Sequence, residues 1–259
     1  MSELLQFLFS GITVGAVYAL VALGFTIIYN ASDVVNFAQG EFVMLGGMIT
    51  FVCYTAGVPL PLAALIAIIA TAAVGVAMNR LTIEPARGAP VVSLIIITIG
   101  VSIFIRGAAQ VLFGKQIHTF PSFSGDDPLR ILGATILPQS LWVLGGAILV
   151  FLALYLFFTQ TLTGRAVLAT SNNRLAAQLV GVNTRFVMTL SFAMSAAIGA
   201  LAGVLVSPIT MTSYDVGLGL ALKGFAAAML GGMGNPKGAL VGGILLGLLE
   251  ALTAGYISS

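Results

Sequence analysis

Of 259 residues, 59% are hydrophobic and only 7% charged, and a mean hydropathy of +1.12 excludes an ordinary soluble domain. The net charge is +2, and the ten basic residues are scattered singly, mostly over the connections between apolar runs, which argues against a nucleic-acid surface. Cys53 and His118 are the only residues of their kinds, so neither an internal disulfide nor a Cys/His metal cluster is available.

A helix needs about 20 apolar residues to cross roughly 30 Å of hydrocarbon. Runs of that kind predict spans at 7–29, 34–55, 60–79, 90–112, 139–158, 186–206, 217–233 and 239–257. The fold class is therefore all-α: a polytopic membrane helix bundle of about eight transmembrane helices, forming a single domain over 1–259.

At the start, Met1–Leu5 carries Glu3 but no Lys or Arg, unlike the basic region of a secretory signal, so the first span is expected to stay attached. The second span opens with "VVNFAQGEFVMLGG", which gathers Asn36, Gln39 and Glu41 at its inner end. A narrow cleft or a broken helix lining a cavity suits these groups better than lipid; cross-bonding between helices suits them as well. On a continuous helix Asn36, Gly40, Val43 and Gly47 would share one stripe.

In the fourth span Ser93, Thr98 and Ser102 offer neutral polar contacts or bond back to their own helix. Four ionisable residues fall within spans, namely Glu41, Arg106, Lys223 and Glu250. Such groups face a cavity, a partner or an interface. For Arg106 snorkelling or an ion pair is favoured, and for Lys223 and Glu250 a helix-capping or cross-linking role, with a mutual pair left open.

Loop charges set the orientation. The 160–185 loop holds Arg165, Arg174 and Arg185 with no acid, which places it in the cytoplasm, and parity puts the 80–89 connection beside it. The 113–138 loop, mixing Asp126 and Asp127 with Lys115 and Arg130, reads as external. The same alternation puts 207–216 outside, "GGMGNPKG" inside and Ser259 outside. The glycine pairs Gly11/Gly15, Gly199/Gly203 and Gly243/Gly247 have the G-x-x-x-G spacing of close helix packing.

No P-loop, nucleophile elbow, H-E-x-x-H or Ser/His/Asp set occurs, so no catalytic or metal-binding residue is nominated and the chain is not read as an enzyme. By eye no internal repeat supports an inverted-repeat transporter.

One stretch of the inner loop is more specific. Ala176, Ala177 and Gly181 stand in A-A-x-x-x-G spacing, which resembles the EAA loop of bacterial ABC importer permeases, with Leu175 at the position usually held by Glu. Leu175 and Leu179 form an apolar ridge at i, i+4, flanked by Arg174 and Arg185. Together with this loop, "VYALVALGFTIIYNASDVVNFAQGEFVMLGG" at 17–47, "TGRAVLATSNNRLAAQLVGVN" at 163–183 and "KGFAAAMLGGMGNPKGALVGGILLGLLEAL" at 223–252 resemble branched-chain amino acid ABC permeases of the LivH type.

The resemblance implies a multi-pass permease subunit in the bacterial inner membrane. It implies a cytoplasmic coupling helix comprising Gly164, Arg165, Arg174, Leu175, Ala176, Ala177, Leu179 and Gly181, docked on an ATPase. The implied partners are a second permease subunit in a heterodimer, two ATPase subunits and a periplasmic or extracytoplasmic substrate-binding protein. ATP and Mg would be held by the ATPases and no cofactor by this chain. On this reading Asn36, Gln39, Glu41, Ser93, Thr98 and Ser102 belong to the substrate pathway, and Gly199, Gly203, Gly243 and Gly247 to helix packing. Permeation of urea or short amides, or ATP-independent secondary transport, are the alternatives. Members of that family usually run past the "LEAL" helix through a further span; this chain stops at Ser259, so it is either truncated or completes its bundle differently.

Overall fold

A computed structural model describes residues 2–125, 127–131 and 134–257; Asp126 and Ser259, both expected outside, are not among them. In chain order the helices are α1 (Ser2–Ser32), α2 (Gln39–Thr55), α3 (Leu60–Met78), α4 (Val91–Phe113), α5 (Pro138–Gln160), α6 (Leu162–Asn172), α7 (Arg174–Leu179), α8 (Thr184–Thr210), α9 (Val216–Leu230) and α10 (Pro236–Tyr256). Met78 continues into a π-helical turn, Asn79–Ile83. The expected external loop contains a hairpin, β1 (Leu129–Ile131) and β2 (Ala134–Ile136), paired antiparallel with Arg130 opposite Thr135.

Each of the eight expected spans appears as a helix. Among the described residues six are long and apolar enough to cross a membrane: Glu3–Ser32, Leu60–Ile83, Val91–Phe113, Pro138–Gln160, Thr184–Thr210 and Pro236–Tyr256. The other two are shorter than expected. α2 starts at Gln39 rather than at 34, and α9 ends at Leu230 with 15 residues.

The hydrophobic core forms around α1, where Ala16–Leu23 are at most 3% exposed. α10 lies against it with backbones in contact: a Cβ on Gly247 would come within 2.3 Å of Gly15 N, and one on Gly15 within 2.8 Å of Ile244 Cα. Without a hydrophobic driving force between helices in lipid, such close approach supplies the attraction through dispersion. Gly199 and Gly203 of α8 face Phe42 and Val43 of α2 in the same way. By contrast α4 is mostly exposed, and its buried residues are Thr98, Ser102, Ile105 and Ala109.

Loop contacts agree with one alternation across the membrane. Asn30 Nδ2 donates to Gly234 O at the end expected inside, while His118 and Thr212 form a backbone bridge between the two loops expected outside. Glu84 of the 80–89 connection pairs with Arg185, at 3.6 Å, beside the 160–185 loop.

Replacing Gly247 with Leu forces α10 off α1, an overpacking that costs about 1–3 kcal/mol or more. The expected outcome is a lowered thermal midpoint in detergent, measured by size-exclusion chromatography after heating. Gly100→Leu, where an added Cβ meets nothing within 4 Å, should leave the midpoint unchanged.

Candidate functional site

The first site is the break between α1 and α2. Gln39 lies against Gly24 of α1, eight residues before Ser32, so α2 begins about 12 Å in from the end of α1 at 1.5 Å per residue. Residues 33–38 thus fold back into the protein as non-helical chain, with Asp33 at φ 57°. Asn36 therefore precedes the helix instead of sharing a stripe with Gly40, Val43 and Gly47. Its Oδ1 accepts from Ala38 N at 3.0 Å, closing a local turn.

Lipid offers no water to satisfy an interrupted backbone, and the chain satisfies it with side chains. Phe37 N donates to Thr98 Oγ1 at 3.2 Å. Gln39 Nε2 donates to Ser195 O at 3.2 Å, and Ser195 Oγ lies 2.6 Å from Gln39 Oε1 and 2.8 Å from Gly24 O, which ties α1, α2 and α8 at one node.

Glu41, in the first turn of α2, accepts from Ser102 Oγ at 2.8 Å and from Arg106 Nη2 at 2.8 Å, all at its Oε1. Thr98, Ser102 and Arg106 recur at i, i+4, i+8 on one face of α4; Ser93, in the first turn of that helix, lies off the face. The N-terminus of α9 also arrives here, since a Cβ on Gly40 would fall 1.9 Å from Gly217 O and one on Gly217 2.8 Å from Glu41 Oε2. The carboxylate thus sits where the N-terminal ends of two interrupted helices converge, a position that favours negative charge. Asn36, Gln39 and Glu41 are at most 1% exposed, and Asn36 Nδ2 and Glu41 Oε2 have no hydrogen-bond partner among the described residues.

The second cluster joins Tyr18 of α1, Lys223 of α9 and Glu250 of α10. Lys223 Nζ donates to Tyr18 Oη at 2.9 Å and to Glu250 Oε1, and Tyr18 Oη donates to Glu250 Oε2 at 2.7 Å. The sequence reading left the pair open and did not single out Tyr18; a lone phenol in an apolar span carries no periodic signal of its own. Tyr18 lies about 20 Å from either end of α1, hence at bilayer depth, yet the Lys223 and Glu250 side chains are 45% and 42% exposed. Charges at that depth facing lipid cost about 2.5–3.5 kcal/mol each on insertion scales, so this face belongs to an aqueous space or a protein partner.

The third region is the 160–185 loop, expected in the cytoplasm. Thr161 caps α6 by accepting from Gly164 N at 2.9 Å, and a Cβ on Gly164 would fall 2.0 Å from Phe157 O, so α6 turns back tightly under α5. Arg165 Nη2 donates to Thr159 O at 3.1 Å. Asn173 caps α7 through Ala176 N, and Asn183 caps α8 through Arg185 N and Phe186 N. Gly181, at φ 88°, makes the turn between them. Ala177 is buried, whereas Leu175 and Leu179 are 74% and 88% exposed, so the i, i+4 ridge points away from the chain. Arg174 Nη2 rests on Met188 Sδ at 3.3 Å. Partial burial holds the Arg87 guanidinium below its ordinary pKa; Glu84 opposes this, and Arg174 and Arg185 reinforce it.

Comparison with known proteins matches residues 7–259 to the family described as "Branched-chain amino acid transport system / permease component". The high-affinity branched-chain amino acid transport system permease protein LivH of Salmonella typhimurium is 34% identical, over 98% of this chain and 87% of that protein. BraD, which carries the same description in Pseudomonas aeruginosa, is 33% identical over 96% and 86%. The ribose import permease protein RbsC of Escherichia coli is 26% identical over 91% and 74%.

Removing one partner of a buried ion pair strands the other and costs about 3–5 kcal/mol. Glu41→Ala should accordingly lower the thermal midpoint sharply. A Glu41→Gln, Arg106→Met double variant, which leaves no uncompensated charge, should recover most of the loss in the same melting assay.

Proposed function

The chain belongs to the branched-chain amino acid transport permease family, and on that premise we propose that it moves leucine, isoleucine and valine through the bacterial inner membrane as one of two permease subunits of an ATP-driven importer. The observation that carries the reading is 34% identity with LivH across 98% of the chain. Two ATPase subunits would bind ATP and Mg on the cytoplasmic side, and an external binding protein would deliver the amino acid and set most of the selectivity. A second, non-identical permease would complete the pathway.

Support for ATPase coupling comes from the exposed ridge of Leu175 and Leu179, since an apolar face on a capped cytoplasmic helix is suited to burial in a groove of a partner. ATP-driven closure of the ATPases would press on α6 and α7. Asn183 and Gly181 hold α7 directly to the start of α8, so the displacement would pass along that helix to the Ser195–Gln39–Gly24 node and the break at 33–38. Alternation between outward and inward openings would follow from re-packing of the two interrupted helices. In this scheme Asn36, Gln39, Glu41, Thr98 and Ser102 shape the pathway from behind, by holding the break, and Ser93 lies nearer the inner mouth.

Ala177 is buried against its own chain, so the exposed leucines are the better probes of docking. In a membrane co-expressing all subunits, Leu175→Asp with Leu179→Asp should abolish co-purification of the ATPase and uptake of leucine while leaving permease abundance unchanged. Intact association and uptake would sink the coupling assignment. For cargo, the cognate external protein should bind leucine, isoleucine or valine in calorimetry, and binding of urea or an amide instead would reassign it.

A further inference from the structure

Lys223 and Glu250 form an ion pair that the fold does not need for cohesion. α9 and α10 already touch through backbone, with a Cβ on Gly238 falling 1.7 Å from Gly231 O and one on Gly242 2.2 Å from Ala227 O. α10 is likewise fixed to α1 by Gly15 and Gly247. The pair nevertheless stands at bilayer depth with close to half of each side chain exposed. It lies in a groove of about 570 Å³ whose other walls are Leu222, Ala226, Leu246, Leu249, Thr253 and Ala254. That volume is within the roughly 300–1,000 Å³ of small-molecule sites.

We propose that Tyr18, Lys223 and Glu250 form a relay site for the amino-acid zwitterion, Lys223 taking its carboxylate, Glu250 its ammonium, and the leucine-lined wall its aliphatic side chain. The inference rests on the reading of the chain as an amino-acid permease and names the residues that recognise the cargo.

In the empty site the two charges neutralise each other, and Tyr18 Oη bridges them, accepting from Lys223 and donating to Glu250. A zwitterion inserts by partner exchange: its carboxylate replaces Glu250 at Lys223, and its ammonium replaces Lys223 at Glu250. No net charge is created or stranded at any stage, and no proton needs to move. Because the solute competes with a ready-made ion pair, its hold is weak, which is what conduction requires. Lys223 and Glu250 sit on different helices, α9 and α10, and the apolar side chains lining the same groove flank the pair, which gives the solute one orientation. A solute lacking either charge gains nothing to offset the broken pair.

The test uses the complete transporter in proteoliposomes with its binding protein, reading leucine uptake, stimulated ATP hydrolysis and subunit ratio together. Leucine uptake by the unmodified transporter comes first; its absence would overturn the amino-acid reading and this inference with it. Lys223→Met and Glu250→Gln should each lower leucine uptake by about tenfold or more, the loss of one charge-assisted hydrogen bond. Stimulated ATP hydrolysis and subunit ratio should stay the same, so more ATP is spent per leucine. The exchanged variant, Lys223→Glu with Glu250→Lys, restores the ion pair but reverses its direction and should not restore uptake. Unchanged uptake in the single variants, or recovery in the exchanged one, would overturn the relay site alone and leave a structural pair. Loss of the second permease from the single variants would overturn it in favour of a subunit interface.

Discussion

Everything near the middle of this bundle answers to one constraint: a polypeptide that leaves helical geometry inside a membrane must satisfy its own N–H and C=O groups. Six residues, 33–38, do so here between the end of α1 and the start of α2. Their partners come from α4 and from the segment itself, and the first residue of α2 is tied to α8 and α1. Thr98 reaches the chain from α4, Ser195 with Gln39 joins α8 and α1, and Asn36 closes a turn on itself. α9 then brings its own N-terminus to the same point, with Gly217 against Gly40. The break is costly unless all of these meet, and so it acts as the point that aligns five helices.

Two ion pairs of similar chemistry show how environment divides labour. Glu41 with Arg106 is buried on the carboxylate side, bonded in addition to Ser102, and assisted by helix N-termini. With Arg106 and Ser102 both on its Oε1, it behaves as a fastening between α2 and the otherwise loosely seated α4. Lys223 with Glu250 has one further partner, Tyr18, and an open flank. A pair with an open flank contributes little to holding helices together, because it is free to exchange partners. The same reasoning that makes the first pair structural makes the second one available to a solute.

Much of the architecture was legible from the chain, and the reasons are physical. Apolar runs must match bilayer thickness, so the eight segments could be read directly, and the Lys/Arg bias of the 160–185 loop fixed a topology with which the contacts of Asn30 and His118 agree. The glycine pairs on α1 and α10 were visible because close approach demands small residues at i, i+4. What hydropathy does not encode is where a greasy run ceases to be helical. Val34 and Val35 are as apolar as their neighbours, so the start of α2 was placed five residues early and Asn36 was put on a helix it precedes. The polar cluster itself was evident at Asn36, Gln39 and Glu41. Its partner Ser195 was not, nor was Tyr18 between Lys223 and Glu250, since isolated hydroxyls in spans usually bond their own helix and only tertiary contact distinguishes those that do not.

The separation between the cytoplasmic ridge and the break is bridged by a single element. α8 begins at the Asn183 cap, two residues from the Gly181 turn, and Ser195 lies about 16 Å further along it at the helical rise. Around Ser195 it is backed by α3 and by α2, with Phe192, Ala196 and Gly199 buried against them. A helix packed on two sides moves as a rod rather than bending, because interior packing leaves no free volume into which it could flex. Under the proposed coupling, a displacement at α7 would therefore be carried along α8 to the place where the chain has given up helical structure. There the hydroxyl of Ser195 lies within bonding distance of both Gly24 O and Gln39 Oε1 but has one proton, so it donates to one of them at a time. In the proposed scheme, a push on α7 would reach this hydroxyl along α8 and exchange one acceptor for the other, a discrete change within the membrane.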